Sequence, residues 1–469
     1  MTKLYSHSET IEPRLAKDAL ASVVQQVLES VVPGEREFPR ALRVEFPIEH
    51  VDALSWLHAQ RTSPRMYWAD RESEFDVAGV GAADVIAADT DTDFEPLIAQ
   101  LRATVSSTHP DLRYYGGARF SQGTAKSDPW RPFGACSFVL PRFELLNRGT
   151  QSYLVCNALL HDAGGVEAEL REIFEAIELL RFPDAASLLP LPRIVKRVDR
   201  PDATGWAQMV TEVLRSITGG SVQKVVLARE TTFTFDAALD PISILTRLVP
   251  RSPESYRFFF EPEPGVAFIG ATPERLVKRD RRYVQSEAVA GTRPRGSNPQ
   301  DDDRLGSELM NSDKDRREHK VVLDTIQSVF NDLCHAVHVA PEVSLLKLRR
   351  CQHLFCPVEG ILSDNASGSK ILRALHPTPA VGGYPTARAL DVIESLEPFD
   401  RGWYAGPIGW VGNKASEFAV AIRSGLVHGN TLSLYSGAGI VEGSTPADEW
   451  AEIENKMSNF LSVLTGDVD

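Results

Sequence analysis

Cysteine is scarce in this sequence, with five residues among 469, and the number is odd. So small a set does not support a disulfide framework and is typical of a reducing compartment, so we predict a cytoplasmic location. Cys351, His353 and Cys356 lie close together, but their spacing matches no common zinc pattern and no fourth ligand is nearby. We therefore predict no zinc site at this segment.

Long hydrophobic runs are also absent. No stretch reaches the roughly 18 apolar residues of a membrane-spanning helix, and residues 1–20 lack the apolar segment of a secretory signal. Positive charge is outnumbered, because 50 Lys and Arg residues face 64 Asp and Glu residues, and the net charge is −14. This balance disfavours nucleic-acid and anionic-membrane partners. An anionic small-molecule substrate would need a local basic pocket.

The remaining composition is that of an ordinary globular protein, 43% hydrophobic and 24% charged, and is long enough for a large core. Apolar spacing predicts the following elements: helices at 15–30, at 167–180 and after residue 202, and strands at 113–120 and 137–144. Residues 181–203, rich in proline, arginine and aspartate, are the best candidate for a linker. Many strands with interspersed helices, without the regular alternation of a Rossmann domain or barrel, predict a large mixed sheet structure.

Residues 222–229 have the pattern of a buried strand that contains a lysine and an arginine. In a strand, Lys224, Val226 and Ala228 share one face, and Arg229 lies on the other. A lone strand lysine is usually an edge residue whose ammonium reaches water. If Lys224 is buried instead, burial of an unpaired ammonium is costly, so we expect it to be paired, neutral or catalytic.

A helix is predicted from a cap at Ser312–Asp313 to about residue 333, with an apolar stripe that includes Val322 and Ile326. Glu318 lies four residues before Val322, at the head of this stripe. One interpretation is an acid favoured by the helix dipole near the N-terminus. The other is a functional carboxylate that faces the interior.

The last helix begins with Thr445 as N-cap, Pro446 at the first position and Asp448 at the third, which is typical of a capping box. Beside its core stripe, Glu449, Glu452 and Lys456 form a second stripe. Two carboxylates so placed can bind a hard cation together with a third carboxylate elsewhere, and the lysine can meet an anionic ligand. The alternative is a solvated Glu–Lys pair, which contributes only a few tenths of a kcal/mol.

Glycines follow the strand predicted at 431–435, at Gly437, Gly439 and Gly443. Their spacing differs from that of a dinucleotide-binding fingerprint, and too little chain follows to supply the ribose-binding acid. We expect these glycines to let backbone N–H groups approach an anionic ligand closely.

Together these segments closely resemble the chorismate-utilising enzymes. The matching segments occur in the family's order at 223–229, 270–275, 290–293, 315–319 (Asp-Arg-Arg-Glu-His), 352–354, 376–383 (His-Pro-Thr-Pro-Ala-Val-Gly-Gly), 403–410, 421–424 and 437–456. The resemblance is highly specific over about 205–466 and looser before residue 200. It implies an α/β (mixed α+β) fold with two large antiparallel-rich sheets packed face to face and helices outside. It divides the chain into residues 1–200, which complete the sheet fold, and a chorismate-binding catalytic region at 201–469, within one compact unit.

The resemblance also implies roles for individual residues. Lys224 matches the general base that activates water, and Glu274 matches the general acid that protonates the departing hydroxyl. Glu318 and Glu452 match direct Mg²⁺ ligands, and Glu449 matches a ligand acting through water. The matched substrate-binding positions are Arg423, Lys456, Tyr404, Gly437, Gly439, Thr292, His353 and Ala380. A general acid must stay protonated, so we expect burial near Phe268 and Ile269 to raise the pKa of Glu274.

Branches of the family differ at a few of these positions. Ala290 stands where similar aminodeoxychorismate synthases have a nucleophilic lysine, and Lys224 stands where anthranilate synthases have glutamine. Residues 376–383 and 404–410 are more similar to isochorismate synthases than to salicylate synthases. Residues 113–120 and 138–144 resemble the N-terminal part of isochorismate synthases of menaquinone biosynthesis, and with the chain length this favours that pathway. The resemblance therefore favours Mg²⁺-dependent conversion of chorismate to isochorismate. A salicylate synthase and a non-catalytic chorismate binder stay open as alternatives, and the protein is expected to be a monomer or homodimer.

Overall fold

The computed structural model describes residues 10–30, 39–89, 94–105, 111–121, 128–162, 165–183 and 190–465. The helices of this part of the chain are α1 (Ala16–Glu29), α2 (Ala53–Ala59), α3 (Phe94–Val105), α4 (Val166–Leu179), α5 (Ala203–Thr218), α6 (Pro241–Leu248), α7 (Pro299–Asn311), α8 (Asp313–Leu333), α9 (Gly368–Leu375), α10 (Thr386–Leu396) and α11 (Pro446–Thr465).

The strands of the first half of the chain are β1 (Arg40–Ile48), β2 (Arg65–Ala69), β3 (Phe75–Ala88), β4 (Arg113–Ala118), β5 (Cys136–Arg148), β6 (Gln151–Leu160), β7 (Ile194–Arg200) and β8 (Lys224–Phe235). Those of the second half are β9 (Tyr256–Glu263), β10 (Val266–Thr272), β11 (Arg275–Asp280), β12 (Tyr283–Pro294), β13 (Cys334–Val339), β14 (Ser344–Lys347), β15 (Cys351–Leu362), β16 (Gly383–Tyr384), β17 (Pro407–Gly412), β18 (Ala415–Val420), β19 (Ser424–His428) and β20 (Thr431–Ile440).

The predicted helices are all present, and side-chain caps account for several of their starts. Asp202 accepts a hydrogen bond from the backbone N–H of Gly205 at the start of α5, and Ser312 accepts one from Asp315 at the start of α8. At α11 the Thr445 hydroxyl accepts from the backbone N–H of Asp448, as predicted. Such caps satisfy N–H groups that have no partner within the helix.

Two antiparallel sheets are joined through one long strand. The first runs β7–β8–β20–β19–β10–β9–β2–β3–β5–β6–β1, and the second runs β4–β17–β18–β11–β12–β15, with β13 and β14 beyond. Residues 136–139 of β5 pair with β4, and residues 143–148 pair with β6, so β5 belongs to both sheets. The predicted fold class, with two antiparallel-rich sheets, is confirmed.

The space between the sheets is filled by aromatic side chains. The Phe133 and Trp403 ring centroids are 5.2 Å apart, and those of Phe260 and Trp403 are 5.1 Å apart. A second core lies between the first sheet and helices α1, α2, α4, α6 and α11, and includes Trp56 and Phe460. This double layer buries both faces of the first sheet, which explains why β5 is buried along all but its last residue.

The predicted linker at 181–203 contains a strand instead, because β7 pairs with β8 over most of its length. Strands from before residue 200 also pair with strands after it, β2 with β9 and β4 with β17. A boundary at residue 200 stays a prediction. In the described ranges, none of the helices combines the length and hydropathy needed to cross a bilayer.

Candidate active site

Predicted site residues from distant parts of the chain meet at one cavity of about 80 Å³ between the first sheet, α8 and α11. Eleven of the thirteen line it: Glu274, Thr292, Glu318, His353, Ala380, Tyr404, Arg423, Gly437, Gly439, Glu452 and Lys456. The other two are adjacent, since Lys224 contacts Glu318 and Glu449 lines a neighbouring cleft. The structure therefore brings together the whole set that the sequence predicts.

Lys224 begins β8 and is 1% exposed, so the edge-residue interpretation is wrong. Its Nζ lies 2.9 Å from Glu318 Oε1, an ion pair that lacks good hydrogen-bond geometry. Gly439, on the neighbouring strand β20, permits this pair, because a Cβ there would lie 2.5 Å from Glu318 Oε1 and 2.9 Å from Lys224 Cε. The lysine is thus buried and paired, as the cost of burying a lone ammonium requires.

Arg229 lies on the opposite face of β8 and has a different role. Its Nη2 donates to Glu454 Oε1 at 2.5 Å, and its guanidinium carbon lies 4.1 Å from the Trp450 ring centroid. These contacts join β8 to α11 on the side away from the cavity. Arg229 therefore stabilises the position of the helix that carries the candidate carboxylates.

Glu274 sits in the short connection between β10 and β11 and is 6% exposed. Burial raises its pKa to about 7, while the charges of Lys224, Lys456 and Arg423 act in the opposite direction. The raised pKa agrees with the prediction from the sequence. A carboxyl with this pKa is substantially protonated near neutral pH and can donate a proton.

The three candidate metal-binding carboxylates each contact a lysine. Glu318 pairs with Lys224, Glu449 with Lys314 at 2.8 Å, and Glu452 with Lys456 at 2.5 Å. Burial and the neighbouring Glu452 raise the pKa of Glu449. Burial would also raise the pKa of Glu452, but the Lys456 ammonium outweighs it and lowers that pKa.

Glu318, Glu449 and Glu452 are the side chains that could hold a divalent cation. Carboxylate oxygens are the ligands that Mg²⁺ prefers, and Glu318 and Glu452 line the same cavity. Across the described ranges, however, no three acidic, histidine or cysteine side chains are arranged as a ligand set. The residues therefore fit a hard cation in donor type, while lysines balance their charges in this structure.

Lys314 was missed by the sequence reasoning. It lies one helical turn before Glu318 in α8. Burial acts to lower the pKa of Lys314, but the charges of its partner Glu449 and of Glu318 and Glu452 outweigh burial and raise that pKa. The i, i+4 spacing of Lys314 and Glu318 places them on one helix face and was the available signal.

The glycine segment differs from the prediction. Residues 436–440 do not leave the sheet but extend β20, which pairs with β8 as far as Ile440 opposite Val225. The partner strand β19 ends opposite Tyr435, so this stretch is an open edge on that side. The carbonyl of Gly437 accepts from Lys456 Nζ at 2.9 Å. In a strand the N–H and C=O groups of one residue point to the same edge, and residues two apart repeat that direction. The N–H groups of Gly437 and Gly439 therefore face the cavity side, like the Gly437 carbonyl.

Arg423 and Tyr404 form another wall of the cavity. Arg423 has φ of 52°, in the left-handed region that is rare for residues other than glycine, and its Nη1 donates to the carbonyl of Lys456 at 2.9 Å. Tyr404 is buried and stacks on Tyr435 with ring centroids 5.3 Å apart. Burial raises the pKa of Tyr404, so its hydroxyl stays a neutral donor.

Thr292 and His353 pair across strands β12 and β15. The Thr292 hydroxyl lies 3.1 Å from His353 Nδ1, which also lies 3.1 Å from the carbonyl of Gly291. These two contacts fix the plane of the imidazole. Cys356, which follows on β15, contacts the carbonyl of Ala340 instead.

A larger cleft of about 1100 Å³ adjoins the cavity and shares Thr292, Arg423, Glu452 and Lys456 with it. Its further basic side chains are those of Arg251, Arg293, Arg295, Lys314, Lys347, Arg349 and Arg350. An acidic protein thus has the local basic pocket that an anionic substrate would need.

Comparison with known families agrees with this site. The family model described as "Chorismate binding enzyme" matches residues 25–465. The chain therefore belongs to the chorismate binding enzyme family, as the sequence predicts.

Individual relatives carry a more specific name. The isochorismate synthase MenF of Bacillus subtilis is 34% identical over 440 residues, which cover 90% of this chain and 92% of the relative. The chloroplastic isochorismate synthase of Catharanthus roseus is 32% identical and covers 96% and 85%. The solved structure of MenF, the menaquinone-specific isochorismate synthase from Escherichia coli, has a TM-score of 0.83 at 29% identity and covers 95% and 99%.

Proposed function

We propose that the protein is an isochorismate synthase that converts chorismate to isochorismate in menaquinone biosynthesis. The observation that carries this proposal is the buried Lys224–Glu318 pair, which shares one site with the protonatable Glu274. The relatives described above, which match nearly the full chain, support the same activity. The chemistry requires water to attack C2 of the ring while the hydroxyl at C4 leaves and the double bonds shift.

Lys224 is the general base in this reaction. In its neutral form the amine takes a proton from the attacking water, and Glu318 pairs with the ammonium that results. Gly439 leaves room for both side chains. A base held in hydrogen-bond reach of water contributes roughly 100- to 10,000-fold to such a reaction.

Glu274 is the general acid. Its burial keeps the carboxyl protonated near neutral pH, so it can deliver a proton to the leaving hydroxyl. Lys224 and Glu274 thereby complete one net proton transfer per turnover. Water enters at one carbon and water leaves from another.

The substrate carboxylates bind at the basic side of the cavity. Arg423 and Lys456 supply positive charge, Tyr404 supplies a hydroxyl, and the N–H groups of Gly437 and Gly439 line the open edge of β20. Thr292, His353 and Ala380 line the same cavity and are assigned to the ring and side chain of the substrate. Fixed donors of this kind orient the substrate before reaction.

A magnesium ion held by Glu318 and Glu452, with Glu449 through water, would neutralise the ring carboxylate and orient the ring. Lys456, the partner of Glu452, would then be available to the anionic substrate, which would balance its charge. The five cysteines are free, which supports a cytoplasmic location for the reaction.

The test is to incubate the purified protein with chorismate, with and without Mg²⁺, and to separate the products by chromatography. The proposal expects isochorismate as the only product and only with Mg²⁺. Salicylate with pyruvate would identify a salicylate synthase, and unchanged chorismate in both reactions would identify a non-catalytic binder.

A further inference from the structure

Cys351 differs from every other cysteine of the chain and has no part in the mechanism above. Cys136, Cys156, Cys334 and Cys356 are buried, whereas Cys351 is half-buried and lines the open cleft beside the cavity. Cys351 is therefore the cysteine that a small reagent in the cleft can approach. The same cleft is the route to the proposed substrate site.

Two basic side chains contact this sulfur. Cys351 Sγ lies 3.3 Å from His353 Nε2 and 3.8 Å from Arg423 Nη2. His353 is itself held through Nδ1 by Thr292 and by the carbonyl of Gly291. A thiol beside a fixed imidazole and a guanidinium is the arrangement of an activated nucleophile.

The electrostatics agree with this geometry. Burial acts to raise the pKa of Cys351, but His353 and Arg423 outweigh it and lower the pKa to about 6. Burial raises the pKa of Cys136 to about 11 and that of Cys156 to about 12. Thiolate is the reactive form, so the accessible cysteine is also the ionised one.

We propose that Cys351 is a modification site at which small disulfides bearing carboxylates, such as glutathione disulfide, form a reversible mixed disulfide. The Cys351 sulfur attacks one sulfur of the reagent, so a new S–S bond forms and the reagent's own S–S bond breaks. The reagent's other half leaves as a thiolate. The proton of the Cys351 thiol passes to His353 Nε2 or to water.

The basic cleft favours this class of reagent. Arg293, Arg295 and Lys347 line it, each paired with Asp315 or Asp302, and Arg423 contacts the sulfur. Carboxylates on the disulfide therefore meet the Arg423 guanidinium beside the sulfur. Neutral disulfides lack this attraction. Of two disulfides whose leaving thiols have the same pKa, the one that bears carboxylates therefore reacts faster with Cys351.

Modification closes the proposed active site. An adduct on Cys351 Sγ lies beside Arg423 and His353, which the proposed function assigns to substrate binding, so chorismate is excluded until the disulfide is reduced. This consequence for turnover rests on the proposed function. The modification itself does not.

The experiment treats the full-length protein with glutathione disulfide near neutral pH and locates adducts by peptide mass spectrometry. We expect one adduct at Cys351, formed at least about tenfold faster than at any other cysteine, and removed by dithiothreitol. The Cys351→Ala variant takes up no rapid adduct and keeps its turnover in the presence of the reagent. The Cys356→Ala variant, which keeps Cys351, is the matched control and is labelled like the parent.

Rapid labelling at a different cysteine, or equal labelling of the parent and Cys351→Ala, would overturn the proposal. An adduct on Cys351 that leaves isochorismate formation unchanged would overturn the closure of the site. Because labelling is read by mass and requires no turnover, its failure is separate from a failure of the proposed activity.

Discussion

Nζ of Lys224 lies 2.9 Å from Oε1 of Glu318, and this pair joins the first residue of β8 to the second turn of α8. The Lys224 side chain is buried, with 1% exposure. A buried ammonium needs a counter-charge, and the counter-charge here is a candidate metal ligand. Base and metal site are therefore coupled in the proposed mechanism.

Replacement of the base should remove turnover without unfolding the protein. Lys224→Ala is expected to lower kcat by roughly 100- to 10,000-fold, because no other side chain takes the proton from water. Steady-state assay of isochorismate formation measures the loss, and calorimetry measures the chorismate binding that remains. Lys196→Ala, an exposed lysine on β7, is the control and should keep full activity. Near-normal turnover by Lys224→Ala would rule out this base.

The pH dependence of kcat/KM should report Glu274. The acid must be protonated, and its raised pKa of about 7 means that the active form is lost as pH rises through that value. The alkaline limb of the profile should therefore fall about tenfold per pH unit above its midpoint. Glu274→Gln should lack the limb along with most of the activity. A parent profile that stays level far above neutral pH would contradict the assignment.

Substitution of two glutamates on α11, Glu452 and Glu454, should separate the effect on Mg²⁺ binding from the effect on stability. Glu452→Gln should weaken Mg²⁺ binding, measured by titration calorimetry, with little change in unfolding. Glu454→Gln should leave Mg²⁺ affinity unchanged but lower the free energy of unfolding by about 1–3 kcal/mol, because buried Arg229 loses its 2.5 Å partner. Equal Mg²⁺ affinity in the parent and Glu452→Gln would contradict the proposed ligand set.

A methyl group at Gly439 should disrupt the site locally. The added Cβ would lie 2.5 Å from Glu318 Oε1, so Gly439→Ala is expected to displace the Lys224–Glu318 pair and lower kcat at least about tenfold. Gly165→Ala is the control. The nearest atom to its added Cβ is 3.7 Å away, and Gly165 does not line the cavity. Thermal unfolding monitors the fold of both variants, and equal kcat values for the two would refute the steric argument.

The sequence predicted best those features that depend on local chemistry. The starts of α8 and α11 follow from Ser312 and Thr445, whose side chains cap the first turn. The candidate site residues followed from the family resemblance, because its motifs are specific. The burial of Lys224 was one of two open interpretations until its neighbours were known.

Features set by long-range pairing could not be predicted. The dual membership of β5 depends on partners that lie on either side of it in the chain. The predicted linker contains β7 because this segment pairs with the edge of β8. Gly437 and Gly439 belong to β20 because β8 pairs with β20 along that stretch. The contact between Lys314 of α8 and Glu449 of α11 joins two residues that are 135 positions apart in the sequence.

The most direct measurement follows chorismate turnover in water enriched in heavy oxygen, with the parent protein and Lys224→Ala, with and without Mg²⁺. Mass analysis of the separated products reads both their identity and the label. The account predicts isochorismate that carries one heavy oxygen at C2, formed only by the parent and only with Mg²⁺. Unlabelled isochorismate, salicylate with pyruvate, or labelled product from Lys224→Ala would contradict it.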